Sequence, residues 1–393
     1  MANAGAQANE IDWHDAKITD AGIDEIRAAI GVRKLLPGWN RTVTSEGIEH
    51  FALGLGDDNP LWWNADHAAS SRWGRRIAPP CYLYSHMRGP RIRPEEGKQA
   101  VDEFLPGALG IFAGEVWRWR RFAHEGEVIR AETEMLDVTV IEGRFGGRSV
   151  SHLERHYLLT SKDELIAEVD HTTRRFERGQ TRSRAAYLDR PIATYTAEDR
   201  ERFAEQYEAE AKARRGSTPR YIEDVQVGEA LGPMLKGPLN LTNMIGFLMG
   251  GGCGLNPANR MAHNFLKLHP GVRVVHPETG IPDTIEAPHW EPVLARASGI
   301  AGGYDFGFQR ISWLSHLVTD WAGDDGFLSE LQVKLVGMNI IGDITWMRGT
   351  VTEVDLATGL ATVEITATNQ LDEVTTRGLA KVRLPSKSGG APG

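Results

Sequence analysis

Apolar residues recur at two spacings along the chain, and the change of spacing divides it. After Thr19 and Asp20, residues Ile23, Ile26 and Ile30 stand three to four apart, which predicts a capped helix stopped by Gly31. Ile48, Phe51, Ala52 and Leu55 repeat that spacing and predict a helix from Ser45 to Leu55. From residue 112 to 176 the period shortens to two. Glu115-Val-Trp-Arg-Trp-Arg-Arg-Phe122 alternates apolar and basic side chains, so the tryptophans face a core and the arginines face solvent. Residues 127–140, 149–159 and 165–176 are rich in Val, Ile, Thr and Tyr and predict further strands, with turns at Glu142 to Gly147 and Ser161 to Glu164.

Residues 177–219 are charged and poor in large apolar side chains. Within them Thr196 to Arg215 predicts an exposed helix, acidic at its start and basic at its end, as the helix dipole prefers. The second half then repeats the plan of the first. A helix is predicted near Leu241 to Met249, and a long Gly-, His- and Pro-containing stretch covers 250–290. An amphipathic helix follows from about Phe308 to Trp321, with Ile311, Leu314, Val318 and Trp321 on one face. Strands are predicted at 329–338, 343–354, 360–368 and 373–384. In both halves helical and loop segments precede a four-stranded meander. Such a repeat predicts an α+β protein in which a helix is wrapped by an antiparallel sheet, a hot-dog fold in two copies. The expected units are 18–180, a linker at 181–219, and 220–388. Two unrelated α+β domains are the competing arrangement.

Composition narrows the partners. The 393 residues carry a net charge of −9, too acidic for a nucleic-acid surface built on clustered Lys and Arg. The two cysteines, Cys81 and Cys253, form no disulfide or zinc framework and fit a reducing, cytoplasmic compartment. The start MANAGAQANE lacks the basic and apolar regions of a signal peptide. The apolar run from Met244 to Leu255 is too short to span a bilayer, so no membrane partner is expected. Phosphate loops, dinucleotide-binding fingerprints and nucleophile elbows are all missing.

The chemistry-bearing stretch is Gly56-Asp57-Asp58-Asn59-Pro60-Leu61. On its own it reads as a turn with solvated carboxylates. The pattern G-D-x-N-P, continued by Trp62-Trp-Asn-Ala-Asp-His-Ala68, Trp73-Gly74 and Ile77-Ala-Pro-Pro80, resembles the motif of the MaoC-like (R)-specific enoyl-CoA hydratases. In the second half, Tyr304-Asp-Phe-Gly307, Trp313, His316-Leu317 and Thr319-Asp-Trp-Ala-Gly-Asp-Asp325 are similar to the two-copy acyl dehydratases of that family. The resemblance covers about residues 18–386.

It implies addition of water to a 2-enoyl-CoA, or its removal from a 3-hydroxyacyl-CoA. That chemistry needs a base, an acid and N–H donors for the thioester oxygen. The family motif places an Asp and a His five residues apart, and a Gly amide serves the oxygen. Here Asp57 matches the Asp, but Trp62 stands at the His position and offers one donor and no base. Pro80 stands where the Gly amide is needed and has no N–H. The first copy therefore reads as a wall for the acyl chain or coenzyme A, with Asn59 and Trp62 at the substrate.

The second copy keeps other parts. His289 in His289-Trp-Glu-Pro292 matches the catalytic His, and Gly307 matches the amide donor. Cys253-Gly-Leu-Asn-Pro257 resembles a degraded G-D-x-N-P. Asp283, Glu286 or Asp57 is the candidate carboxylate for His289. Tyr304, Asp305 and Arg310 are candidate substrate contacts at the start of the amphipathic helix. His86, His152, His156 and His171 read as structural. His263, His269 and His276 show no metal-ligand spacing, and Asp320, Asp324 and Asp325 read as turn and surface residues. No metal or redox cofactor is expected; coenzyme A enters as the thioester substrate. A non-catalytic acyl-thioester-binding partner subunit and a thioesterase are the alternatives. Two fused copies meet the usual hot-dog pairing within one chain and leave a homo-oligomer open.

Overall fold

Two sets of five strands meet edge to edge in one sheet. The first set is β1 (Arg33–Leu36), β2 (Leu109–Trp119), β3 (Ile129–Glu142), β4 (Arg148–Thr160) and β5 (Leu165–Phe176). The second is β6 (Ala230–Lys236) with β9 (Phe327–Leu335), β10 (Thr345–Asp355), β11 (Leu360–Asn369) and β12 (Val374–Arg383); β7 (Arg273–Val275) and β8 (Pro282–Thr284) form a separate hairpin. In this computed structural model residues 17–89, 105, 108–142, 148–177, 188–252 and 257–389 are described. The ten strands run in the order β1-β3-β4-β5-β2-β9-β12-β11-β10-β6. Outward from the central antiparallel β2–β9 pair, both halves have the same order. The repeat read from the sequence is thus a pseudo-two-fold in space. The expected turn over 143–147 and the degraded motif at 253–256 lie outside the described residues.

The helices are α1 (Asp20–Ala28), α2 (Ser45–Leu55), the short α3 (Pro60–Trp63) and α4 (Ala65–Ser70), and a 3-10 turn at Pro80–Leu83 running into α5 (Tyr84–Met87). After them come α6 (Ala197–Ala213), α7 (Leu241–Gly251), α8 (Asn259–Leu268), α9 (Pro292–Ala297) and α10 (Gly307–Ala322). Thr19 and Thr44 cap α1 and α2 through their side chains. The stretch 250–290 holds α8 and the β7–β8 hairpin as well as loops. Sequence pattern also missed β1 and β6, which are short and lack strict alternation.

The two copies touch through glycines. A Cβ on Gly54 of α2 would lie 2.4 Å from the Gly246 carbonyl oxygen, and one on Gly250 of α7 would lie 2.4 Å from that of His50. Missing side chains let the helix backbones meet across the pseudo-two-fold, beside the Phe51–Phe247 ring contact. At the sheet seam Trp117 and Trp119 are buried and stacked, while Arg118 and Arg120 pair with Asp170 and Glu168 on the opposite face. One apolar cluster runs through both halves, and α10 lies within it, buried on nearly every side.

The linker helix α6 lies along the outer strand β6. Phe203 packs with Leu235 and Ile344. Gln206 donates to the Pro233 carbonyl at 3.0 Å, Tyr207 donates to that of Gly237 at 2.5 Å, and Glu210 accepts from Leu235 N at 2.6 Å. No helix among the described residues is long and apolar enough to cross a membrane.

Candidate active site

The Asp57 carboxylate sits just past the C-terminal end of α2. Gly56 takes a left-handed conformation (φ 69°), which turns the chain inward. Asn59 caps α3 by accepting from Leu61 N at 3.0 Å. Asp57 is buried; Asn59 N donates to its Oδ1 at 3.1 Å and Trp62 Nε1 to its Oδ2 at 2.8 Å. The tryptophan that replaces the motif's histidine therefore holds the carboxylate in place.

A histidine reaches the same carboxylate from the other copy. His316 lies on α10, and its Nε2 is 3.5 Å from Asp57 Oδ1 and 3.4 Å from Asp320 Oδ2, one helical turn onward. The other ring nitrogen, Nδ1, is 2.8 Å from Lys236 Nζ on β6, which also donates to the Leu55 carbonyl at 3.1 Å. With Lys236 as an ammonium, which has no lone pair to give, His316 Nδ1 is the acceptor and the ring proton stands on Nε2, facing the carboxylates. Burial raises the pKa of Asp57 and lowers that of Lys236, so the charged form of each is disfavoured. Asp320 Oδ1 has no partner. The linker closes this corner: Arg214 pairs with Asp58 at 2.8 Å, and Arg215 N donates to the Asp320 carbonyl at 3.0 Å.

Asp57, His316 and Asp320 offer three ligand atoms within 4.8 Å of one another. They fit a metal ion poorly. A metal-bound imidazole donates its second N–H to an acceptor, whereas here that nitrogen faces the Lys236 ammonium.

The other predicted residues gather elsewhere. His289 Nδ1 bonds the Tyr304 carbonyl oxygen at 2.9 Å, and its ring packs on Tyr304 and Phe306 at 4.0 and 4.2 Å. Burial lowers its pKa to about 4, and among the described residues it forms no ion pair. Asp283 lies in the β7–β8 hairpin and accepts from Thr284 N at 2.7 Å. Of the candidate carboxylates for His289, Asp57 lies at His316 instead and Asp283 bonds the next amide of its own strand, while His289 is a packed ring.

Asp305 and Arg310 form a buried ion pair, 2.7 Å from Nε to Oδ2, extended by Asn339 and the Gly337 carbonyl. This pair anchors the start of α10. Gly307 is nine residues from His316 on α10, roughly 13 Å along the axis, so its amide cannot serve a thioester held at His316. A Cβ there would lie 2.6 Å from the Phe112 ring, a packing reason for glycine. Asp320 and Asp324 are not surface residues either: Asp320 faces His316, and Asp324 is buried against His67 at 2.7 Å.

Comparison with known proteins agrees with this architecture. Residues 28–169 match the family described as FAS1-like, dehydratase domain region. A structure described as a MaoC-like dehydratase superposes with a TM-score of 0.61 at 14% identity, covering 92% of this chain and 100% of that one. A putative MaoC domain protein dehydratase from Chloroflexus aurantiacus gives 0.53 at 12% identity over 91% and 96%. The chain has the double hot-dog fold of the MaoC-like dehydratases. A Mycobacterium tuberculosis protein described as having a double hotdog fold gives 0.52 at 12% identity over 93% and 99%. No curated protein matches the chain in sequence.

Within this double hot-dog the acid–base cluster is shared: the first copy gives Asp57, and the second gives His316, Asp320 and Lys236. The last three escaped the sequence reading. The signal was there in part, as His316-x-x-x-Asp320 places both side chains on one helix face. Lys236 sits on a strand whose sequence carries no strand pattern.

Proposed function

We propose that the protein is a hydratase/dehydratase acting on an acyl thioester, with its reaction centre at Asp57, His316 and Asp320. The observation that carries this reading is the 3.5 Å approach of His316 to Asp57. It restores, across the pseudo-two-fold, the Asp–His pair that Trp62 interrupts in the local motif.

The roles follow from the bonds. In hydration a water O–H gives its proton to Asp320 Oδ1, the acceptor without a partner. The water oxygen bonds the β-carbon as the double bond's electron pair shifts to the α-carbon. His316 Nε2–H protonates that carbon while Nδ1 takes a proton from Lys236. Dehydration runs the same transfers backward. The lowered pKa of Lys236 favours the loss of its proton. The cycle closes when the proton held by Asp320 passes to His316 Nε2, 3.4 Å from Asp320 Oδ2, and Nδ1 returns its proton to Lys236 at 2.8 Å.

The test is the absorbance of the conjugated double bond in 2-enoyl-coenzyme A substrates of several chain lengths. Loss of absorbance with formation of a 3-hydroxyacyl product supports the reading, and His316→Ala should abolish it. Full activity in His316→Ala would sink it. Tight engagement of both Asp57 oxygens favours a second reading, a non-catalytic thioester-binding subunit. Binding without turnover by the folded chain would select that one.

A further inference from the structure

The two copies align residue by residue at their first long helix. Val43 N and Leu239 N donate to the carbonyls of Glu127 and Asp343 at 2.8 and 2.7 Å, and the carbonyls of the same two residues accept from Gly126 N and Gly342 N at 2.8 Å. Thr44 and Asn240 then cap α2 and α7, and Gly56 and Gly252 end them. In this register Asn40 is the counterpart of Lys236, and Gly252 is the counterpart of Gly56, the residue before Asp57. Lys236 Nζ lies 3.9 Å from where a Cβ on Gly56 would stand. Asn40 and Gly252 likewise share one place, and that place is a cavity of about 460 Å³.

Both copies wall it: Trp39, Asn40 and His50 from the first, Ile245, Leu248 and Met249 from the second. Trp39 is a fixed platform. A Cβ on Gly252 would strike its ring, so the indole lies directly against backbone there, yet the residue is 52% exposed. Met249 is 74% exposed. The Asn40 side chain is oriented from behind: its Nδ2 donates to the Tyr82 hydroxyl and to Ser85 Oγ, both at 3.0 Å. That leaves Oδ1, an acceptor, with no partner among the described residues. Among the described residues that line the cavity, only His50 can carry charge.

We infer that this cavity binds a flat, uncharged nitrogen heterocycle, which lays its face on Trp39 and donates an edge N–H to Asn40 Oδ1. The volume suits one small ring system. An indole face and a thioether both favour an aromatic partner. An ion would lose water and find no carboxylate, ammonium or guanidinium among the lining residues. A plain hydrocarbon would displace water from Asn40 Oδ1 and return no hydrogen bond. Asn40 stands where the other copy has Lys236, so the ligand is held without acid–base chemistry. The inference rests on the cavity and its walls, and stands whether or not Asp57 and His316 form a reaction centre.

The experiment is calorimetric titration of the full chain with 9-methyladenine and 9-methylpurine, which differ only in the amino group. 9-Methyladenine should bind about fivefold tighter, the worth of one hydrogen bond. Trp39→Ala should abolish binding of both, and Met249→Ala should weaken both alike. Asn40→Ala should bring the two ligands level. Because Asn40 also bonds Tyr82 and Ser85, that variant is read only where its melting curve stays cooperative; the two exposed positions, Trp39 and Met249, decide the matter otherwise. No binding of either ligand, equal affinities in the unaltered chain, or binding that survives Trp39→Ala undiminished overturns the inference.

Discussion

The two halves share a strand order but divide the work. The second is built around a long helix buried in apolar side chains, so its interior is a rigid support that presents His316 and Asp320. The first has a shortened core helix and a sheet face lined by Glu115, His152, His156 and His171. Duplication explains how both can persist. When one chain holds both members of a pair, each is free to lose what the other supplies. Trp62 in place of histidine damages a single copy; beside His316 it becomes a donor that fixes Asp57.

The largest expected effect tests that division directly. His316→Ala and Asp320→Asn should each lower enoyl-thioester hydration by roughly 10²–10⁴-fold, as loss of an acid–base group does. His289→Ala, in the same copy, should stay within tenfold, because its Nδ1 is held at the Tyr304 carbonyl and its ring packs on Tyr304 and Phe306. Steady-state rates on one substrate decide it. The reverse ranking would return the centre to the second copy alone.

The seam comes next. Gly54→Ala should cost about 1–3 kcal/mol, as overpacking does, because the methyl group would strike a backbone carbonyl that cannot swing aside. Gly250→Ala should match it if the pseudo-two-fold is as regular as it looks. Chemical denaturation measures both.

A pH effect separates the halves more finely. Burial lowers the pKa of His86 and His156 to about 3 and that of His152 to about 4, all in the first copy, while His289 in the second also falls to about 4. With folded pKa values below the unfolded value near 6.5, their contribution is complete above pH 6.5 and is lost as pH falls toward 3–4. At pH 5 each deeply buried one should cost roughly 2 kcal/mol relative to neutral pH. His86→Phe should remove about that much of the acid loss and change little at pH 7.5. Unfolding curves at the two pH values check this, and equal shifts at both would refute it.

The smallest expected effect lies outside both copies. Thr196 and Asp199 form a capping box on α6, and Thr196→Ala should cost about 1 kcal/mol, read as a modest drop in melting temperature.

Most of the architecture was legible because it rests on periodicity. The change from three-to-four spacing to alternation located α2, α10 and the long strands within a few residues. Strands β1 and β6 escaped because an outer strand needs little alternation. The candidate site was half legible. Asp57 and Asn59 were marked by a local motif, but the partner of Asp57 lies 259 positions onward, a distance that no local pattern spans. His289 drew attention through its neighbours in sequence, and what decides its role is the pair of aromatic rings that the fold brings against it.

The linker helix along β6 has one more consequence. A sheet closed at neither end offers two rows of unpaired backbone groups, each a template on which another chain can grow. At one end α6 supplies side chains to the Pro233 and Gly237 carbonyls and to the Leu235 amide. At the other, β1 is only four residues long. Joining the copies thus also guards a broad sheet against aggregation: the connecting segment blocks one growing edge, and brevity blocks the other.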